Sequence, residues 1–478
     1  MKWAIGQVGK WVGRYKFHIL IFIFSFLILT KFNIDPDLGW HLATGREFLQ
    51  EGRIIWGDQF SWTMPGYIWG NSYFAYQILV TYLFGNFGHV VTGAIFGILA
   101  GTAVLILVID RKIDFWQFLT VALATAVASA SLGIRPHTIS FFCFSLLLVF
   151  VERKFFNKPK HVFLWFAFFA IWANFHRGFL VGILVLGVYQ AIDVVWQKVR
   201  LQKDLAIRLS CIVGSILGTF VTPFGWQVWK SAVFDDLTSR DNLLTIAEWQ
   251  SSAIYFPINL LFALSGAIFI YVFFKQTKKQ EPHWFLIAAA IFMFSFVATS
   301  FIFFWWAIFI FLISRMLNLR VLKSANFSVK LPIFFSTASF LMIFFLSFLV
   351  NFLQSYNLKS RLLLDGYPVE ALSFVKDKGL SEKIFNEYGW GGFIDWQAPE
   401  TLVFIDGRMA SWKMAGGRGI LADYLAIMRG ECEHFYQYDI RVVLVKKNQE
   451  TSCFFDFQLA YEDSVAKVLI REDVDRLR

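Results

Sequence analysis

Charged residues are scarce in this chain of 478 residues, since Asp, Glu, Lys and Arg make up only 16% of it. Soluble globular proteins carry about 25% of these residues. Apolar residues make up 57%, which is more than an ordinary soluble domain contains. The shortage of charge therefore excludes an ordinary soluble protein and favours a protein embedded in a membrane.

Cysteine is also rare, with four residues in the whole chain and no Cys/His spacing typical of a zinc site. Cys143 and Cys211 lie inside apolar runs, where we expect them to pack as small side chains. Cys432 and Cys453 lie in the polar C-terminal region. These two can form a disulfide if that region lies outside the cytoplasm, because disulfides persist in oxidising compartments.

The chain has no sustained internal repeat, no low-complexity linker and no small-residue cleavage site after its first apolar run. We therefore interpret that run as a retained helix rather than a removed signal peptide. Lys2, Lys10, Arg14 and Lys16 precede it, which predicts a cytoplasmic N-terminus.

Long apolar runs are abundant, and each is close to the roughly 20 residues that span the hydrocarbon layer as a helix. The runs are 17–30, 90–109, 115–133, 138–151, 161–175, 179–195, 207–222, 258–274, 283–298, 301–314 and 331–350. We therefore predict a mainly α, polytopic transmembrane bundle of about eleven spans. Two shorter segments, 38–50 and 73–84, are predicted to be helices at the membrane surface.

The net charge of +10 is explained by topology, so we expect no nucleic-acid partner. Lysine and arginine fall in alternate loops, as the positive-inside rule requires. The predicted cytoplasmic positions are Arg111, Lys112, Arg153, Lys154, Lys158, Lys160, Lys198, Arg200, Lys203, Arg208, Lys275, Lys278, Lys279, Arg315, Arg320, Lys323 and Lys330. Counting 73–84 as a span would reverse every later loop and destroy this agreement.

The composition changes after the last run, and residues 360–478 mix charged and apolar residues. The patterns 402–405 and 442–445 are strand-like, and 420–428 between them is helix-like. We predict a transmembrane domain over 1–355, whose first external loop is 34–89, and an extracytoplasmic α/β domain over 360–478.

The first external loop carries Asp35-Pro36-Asp37, followed by His41 and Asp58. Two carboxylates two residues apart can share a divalent cation, or divide the roles of base and charge stabiliser. An Asp-Pro-Asp turn after a helix is also a common polar exit signal, and both readings stay open.

Later outer loops carry cations. Arg135-Pro136-His137 forms one turn, His176-Arg177 another, and a long acidic loop at 223–257 contains Glu248. Arginine and histidine side chains at the same depth relative to the membrane surface could bind a phosphate headgroup together, because a guanidinium binds phosphate oxygens bidentately. The alternative is that these cations contact ordinary lipid headgroups.

The residues Asp35-Pro36-Asp37-Leu38-Gly39-Trp40-His41-Leu42 resemble the acidic motif of the C-type integral-membrane glycosyltransferases. These include protein mannosyltransferases, lipid A aminoarabinose transferases and oligosaccharyltransferases. The chain is most similar to a group of bacterial members, in which several of its other motifs recur. Those motifs are Gly45, residues 58–63, Arg135-Pro136-His137, residues 172–176, residues 222–225, Glu248-Trp249, residues 386–392 and residues 404–408. The chain departs from the pattern at Gly39, where an aromatic residue is common, and at Arg177, where glycine is common.

The resemblance implies an enzyme that moves a sugar from a polyprenyl phosphate or diphosphate to an acceptor on the extracytoplasmic face of a bacterial-type cytoplasmic membrane. It makes Asp37 the leading candidate base, with Asp35 as an alternative or as a metal partner. Candidates for stabilising the leaving phosphate, or otherwise binding substrate, are Arg135, His137, His176, Arg177, His41, Asp58 and Glu248. Some members use a divalent cation such as Mg or Mn and others do not, so metal dependence stays open.

Two other functions compete with this one. A transporter or lipid-handling protein would be expected to carry ionisable residues in mid-span or matching broken helices, and the charges here cluster at helix ends. A membrane anchor for the C-terminal domain would not need paired carboxylates in its first loop. For Asp406-Gly407-Arg408 we favour a tight turn over contact with an acceptor.

Overall fold

The computed structural model describes residues 2–196, 202–235, 246–254, 258–275, 282–316 and 330–471. Several charges used in the topology prediction lie outside these ranges, namely Lys198, Arg200, Lys278, Lys279, Arg320 and Lys323. The middle of the predicted outer loop, residues 236–245, also lies outside them.

The chain divides into two compact units. The first, called the helical unit, comprises Met1–Phe32, Gly93–Val221 and Ala247–Leu353. The second, called the mixed unit, comprises Asn33–Thr92, Thr222–Ile246 and Gln354–Arg478. The segment predicted as the first external loop therefore packs in the same unit as the C-terminal segment.

The described secondary structure is mainly α-helical, with one small sheet near the C-terminus. The helices are α1 (Lys2–Leu29), α2 (Leu38–Glu51), α3 (Phe74–Val108), α4 (Phe115–Ala128), α5 (Pro136–Glu152), α6 (Lys160–Ala173), α7 (Phe179–Trp196), α8 (Gln202–Gly218), α9 (Trp226–Trp229), α10 (Ile258–Lys275), α11 (Pro282–Val297), α12 (Ile302–Met316), α13 (Lys330–Gln354), α14 (Leu358–Leu364), α15 (Val369–Asp377), α16 (Gly391–Gln397), α17 (Ile420–Met428) and α18 (Cys432–Tyr436). The strands are β1 (Ile384–Asn386), β2 (Val442–Lys446), β3 (Phe457–Glu462) and β4 (Ala466–Arg471).

Every predicted apolar run overlaps one of these helices. Among the described residues, only Phe74–Val108, Phe179–Trp196 and Thr299–Met316 are both long and apolar enough to cross a membrane. The count of about eleven spans is therefore not confirmed, although the helix positions agree with the prediction.

The segment 73–84 is helical as predicted. It continues through a break at Gly88 into the next apolar run, and together they form α3. Gly88 has φ 75° and ψ 171°, a conformation that glycine adopts without a steric penalty. Two helices are thus joined at one glycine.

Ion pairs secure several helix ends within the helical unit. Glu152 at the end of α5 accepts from Arg315 at 2.6 and 2.7 Å and from Arg111 at 2.6 Å. Asp193 on α7 is fully buried and lies 2.8 Å from Arg208 and 3.3 Å from Lys154. A buried charge is tolerated when it is paired. These four basic residues, predicted only as topological signals, therefore also bind carboxylates.

The sheet of the mixed unit has the strand order β1-β2-β4-β3. The first two strands are parallel, with Phe385 opposite Val443, and the other two pairings are antiparallel. The predicted strand at 442–445 and the predicted helix at 420–428 are both confirmed.

The predicted strand at 402–405 is wrong. This segment is extended, but it makes only one isolated bridge, between Val403 and Ser61. Phe404 N–H donates instead to the side chain of Asn386 at 2.8 Å. The side chains of Val403, Phe404 and Ile405 are fully buried, which accounts for the strand-like pattern. Its backbone groups are satisfied by a loop and an amide side chain rather than by a sheet.

Cys432 and Cys453 form a disulfide, as the sequence permitted, with their Cα atoms 4.9 Å apart. Cys143 and Cys211 are free and buried, which agrees with the packing role expected for them.

Candidate functional site

The two candidate carboxylates lie immediately before α2 in the mixed unit, where Asp37 is the N-cap residue. Asp37 N–H donates to Asp35 Oδ1 at 3.1 Å, so the pair forms one compact turn. Trp40 Nε1–H donates to Asp37 Oδ1 at 3.0 Å, which fixes the direction of that carboxyl group. The roles of the two carboxylates remain predictions.

Glycines allow other backbone segments to approach this turn closely. A Cβ at Gly39 would collide with the carbonyl oxygen of Gly392 at the start of α16. A Cβ at Gly407 would collide with Asp37 Oδ1. The departure from the family pattern at Gly39 thus has a steric reason, and Gly407 lies directly against the candidate base.

His41 lies in an aromatic enclosure. Its ring centroid is 3.6 Å from that of Trp40, 5.1 Å from that of Tyr73 and 4.8 Å from that of Tyr76. Its Nδ1 lies 3.5 Å from Gln77 Nε2, and the side chain is buried. Its substrate-binding role remains a prediction.

Asp58 forms a buried ion pair with Arg408, whose Nη2 lies 2.8 Å from Asp58 Oδ1. Arg408 Nε also donates to Asp406 Oδ1 at 2.9 Å. Ser61 donates to Asp58 Oδ2 from its backbone N–H at 2.9 Å and from its hydroxyl at 2.6 Å. Two motifs of the family pattern, 58–63 and 404–408, thus meet at one guanidinium. Asp406 caps the short 3₁₀ helix Gly407–Ser411, so the favoured turn is present.

Asp395 on α16 is a buried carboxyl group that the sequence analysis did not select. Its side-chain oxygens have no hydrogen-bond partner among the described residues. Burial raises the pKa of Asp395 well above its ordinary value, and the negative charges of Asp406 and Asp58 raise it further against the opposing charge of Arg408. The neutral form of Asp395 is therefore favoured in the folded protein, next to the two carboxylates that pair with the arginine.

The remaining candidates lie in the helical unit. Arg135 is the N-cap residue of α5, with Pro136 as its first residue, and His137 follows. Arg135 Nη1 lies 3.2 Å from Glu248 Oε1. A helix N-terminus favours anions because its N–H groups lack helical partners and its dipole is positive.

Arg177 joins the same group, since its guanidinium lies 6.0 Å from the ring centroid of Trp249. Partial burial would raise the pKa of Glu248, but the positive charges of His137, Arg135 and Arg177 outweigh burial and lower that pKa overall. Glu248 therefore stays ionised and holds the cations close together. We call Arg135, His137, Arg177 and Glu248 the cationic group.

His176 lies beside this group, with its ring centroid 4.6 Å from that of His137. Its Nδ1 lies 2.7 Å from the hydroxyl of Ser140 and accepts from Gly178 N–H at 3.1 Å. Trp172 Nε1–H donates to the same serine oxygen at 2.7 Å. The structure thus brings all five predicted residues from the later outer loops together within the helical unit.

No cluster of three or more His, Cys, Asp and Glu side chains suited to a metal occurs in the part of the chain that the structure describes. Asp35 and Asp37 supply two carboxylates, and a hard divalent cation requires about six oxygen ligands. Water and substrate phosphate would therefore have to complete its coordination. The divalent cation remains a prediction.

No protein-family model and no curated protein matches the sequence. Solved structures do match. The oligosaccharyltransferase of Archaeoglobus fulgidus, tethered with an acceptor peptide containing the NVT sequon, matches with a TM-score of 0.57 and 14% identity over 91% of this chain and 70% of that one. The oligosaccharyltransferase AglB of the same organism, in complex with an inhibitory peptide and a dolichol-phosphate, matches with a TM-score of 0.54 and 12% identity over the same shares.

A third match is ArnT from Cupriavidus metallidurans bound to undecaprenyl phosphate, with a TM-score of 0.41 and 13% identity over 96% of this chain and 98% of that one. The two archaeal matches carry the fold assignment. The chain has the fold of the C-type integral-membrane glycosyltransferases, as the resemblance of its motifs predicted.

Replacing the buried arginine should open the mixed unit locally. In Arg408→Met two buried carboxylates lose their counter-charge, so the free energy of local opening should fall by about 3–5 kcal/mol. Hydrogen exchange of peptides covering 58–63 and 404–411 would measure this change. Arg429→Met, at an exposed arginine, is the matched control and should change exchange little. Unchanged exchange in Arg408→Met would contradict a stabilising role for the ion pair.

The free energy of unfolding should depend on pH through the protonation of Asp395. Because the pKa of Asp395 is raised in the folded state, its contribution is fully present below about pH 4 and is lost as pH rises through the raised pKa. Asp395→Asn keeps the neutral form at every pH. The variant should therefore unfold at a higher temperature than the parent at pH 8 and lose less stability between about pH 4 and pH 8. Thermal unfolding in detergent would measure both, with Asp377→Asn at an exposed position as control. Parallel pH profiles for parent and Asp395→Asn would show that the pKa of Asp395 is not raised in the folded state.

Proposed function

We propose that this protein is a membrane glycosyltransferase that moves a sugar from a polyprenyl-phosphate-linked donor to an acceptor on the extracytoplasmic face. The observation that carries the proposal is the cationic group, in which the positive charges of Arg135, His137 and Arg177 act together on the carboxylate of Glu248. The fold supports the same reaction class, since AglB of A. fulgidus is an oligosaccharyltransferase whose structure is solved in complex with an inhibitory peptide and a dolichol-phosphate.

The cationic group suits a phosphate that gains charge as it leaves. When the bond between the anomeric carbon and the phosphate oxygen breaks, the lipid phosphate retains the bonding electrons. Preplaced cations stabilise that charge more in the transition state than in the bound donor, which lowers the barrier. In this role Glu248 is displaced from Arg135 or shares it with the phosphate.

Asp37 is the proposed base. It would accept the proton of the acceptor nucleophile while that nucleophile forms its bond to the anomeric carbon. The hydrogen bond from Trp40 Nε1 fixes one carboxyl oxygen, and the backbone of Gly407 lies against it. A carboxylate held in this way loses little entropy when the acceptor binds.

A divalent cation such as Mg or Mn is compatible with this mechanism. Asp35 and Asp37 would hold it, and it would supply positive charge that stabilises phosphate oxygens. The disulfide between Cys432 and Cys453 supports an extracytoplasmic position for the C-terminal segment, because such bonds persist in oxidising compartments.

Loss of the two arginines should abolish specific retention of the lipid. Native mass spectrometry with added polyprenyl phosphate should show retention by the parent protein and at least tenfold less by Arg135→Ala/Arg177→Ala, because two charge-assisted contacts are lost. Bulk phospholipid should be retained equally by both proteins.

The matched control removes two positive charges from the loop that follows α5. Arg153→Ala/Lys158→Ala changes exposed residues there and should retain the lipid like the parent. Equal retention by all three proteins, or no preference of the parent over bulk phospholipid, would argue for a transporter, a lipid-handling protein or an anchor.

Neutralising the base should affect turnover rather than lipid binding. Asp37→Asn should lower the rate by about 10²–10⁴-fold, the usual contribution of a general base. The rate would be followed as release of polyprenyl phosphate from lipid-linked sugars extracted from membranes. Asp35→Asn, assayed in parallel, separates the two carboxylates, and Asp377→Asn is the exposed control. A normal rate in Asp37→Asn would remove this residue from the mechanism.

A further inference from the structure

Ser140 lies in the first turns of α5 and is fully buried, although the sequence around it is apolar. Its oxygen accepts a hydrogen bond from Trp172 Nε1 at 2.7 Å. An indole N–H only donates, so this bond has one direction. The serine proton is then directed to the next partner, and His176 Nδ1 lies 2.7 Å away.

The second contact of the same nitrogen is also directional. Gly178 N–H donates to His176 Nδ1 at 3.1 Å, and a backbone amide cannot accept through its nitrogen. A proton on Nδ1 would face this N–H directly and lose the bond. Two donors therefore converge on Nδ1, so that nitrogen carries no proton.

The surrounding packing holds these groups in place. A Cβ at Gly178 would collide with the Ser140 hydroxyl, and a Cβ at Gly182 would collide with the Trp172 ring. Trp172 is itself fully buried and stacks on Phe169 at a centroid distance of 5.8 Å. The packing thus keeps the indole within hydrogen-bonding distance of the serine, and the serine within hydrogen-bonding distance of the histidine.

We propose that Ser140 and Trp172 are positioning residues that keep His176 neutral with its proton on Nε2. His176 then meets a ligand as a hydrogen-bond donor and does not act as a base through Nδ1. The role of Nε2 toward a phosphate oxygen rests on the proposed function, whereas the position of the proton rests on the local geometry alone.

Nitrogen NMR of the full chain in lipid bilayers would test the proton position. The chain would be labelled with ¹⁵N at Nδ1 of its eight histidines, and the His176 signal assigned by its loss in His176→Asn. Bare and proton-bearing imidazole nitrogens resonate in separate regions. We expect His176 Nδ1 in the bare region, shifted by its hydrogen bonds, and a signal in the proton-bearing region would overturn the proposal.

Variants test the positioning role. In Ser140→Ala and in Trp172→Phe the His176 Nδ1 signal should move toward that of a bare nitrogen with fewer hydrogen bonds. Ser145→Ala is the matched control, because Ser145 is buried on the same helix but donates to Phe141 O. If the His176 Nδ1 signal moves in neither Ser140→Ala nor Trp172→Phe, the positioning role is overturned. Because the two substitutions lie at different sites, the test still works if one variant fails to fold.

Label at Nε2 tests the role toward phosphate. Polyprenyl phosphate should shift the Nε2 signal of His176 and leave Nδ1 in the bare region. If native mass spectrometry shows specific retention but Nε2 does not shift, the donor role is overturned while the proposed function stands. If the parent retains no lipid, the proposed function fails, and the donor role fails with it, whereas the Nδ1 measurement still decides the position of the proton.

Discussion

The mixed unit depends on one buried guanidinium. Arg408 joins a loop near the start of the chain to a segment near its end, because it pairs with both Asp58 and Asp406. Around these charges lie the rings of Phe60 and Trp412, at 4.9 and 5.3 Å from the guanidinium carbon. Removing three ionised groups from water is costly, and only their mutual pairing offsets that cost. The pairing thereby fixes the turn at Gly407, which lies against the candidate base Asp37.

The helical unit handles charge differently. Its ion pairs at Glu152 and Asp193 are intramolecular and bring helix ends together. In the cationic group one carboxylate stands among several cations, so the group carries an excess of positive charge. Positive charge gathered in one place attracts anions, and this is the electrostatic basis of the proposed phosphate ligand.

Local patterns predicted much of the fold. Helices were predictable because apolar runs of the required length leave few alternatives, and 420–428 was predictable as a helix-like stretch between two strand-like patterns. The segment 402–405 was wrongly predicted to be a strand, because any buried segment has an apolar sequence, whether or not it pairs with a neighbouring strand. The strand Phe457–Glu462 was missed because most of its side chains are exposed. The candidate residues were identified through family motifs, but the partnership of Asp58 with Arg408 and the contacts of Ser140 and Asp395 were not. Those contacts join residues distant in sequence, and nothing in the local pattern of either partner identifies the other.

Gly407 carries no chemical group, yet it stands where even a methyl would displace the carboxylate of Asp37. Substitution of Gly407 by alanine adds a single methyl group. It would therefore disturb the proposed proton acceptor as directly as a substitution of Asp37 itself. Evolution can alter the reactivity of such a protein through a residue that takes no part in the reaction. A related protein with a larger residue at this position would need its carboxylate in a different place. The acceptor nucleophiles that such a carboxylate could deprotonate would then differ as well.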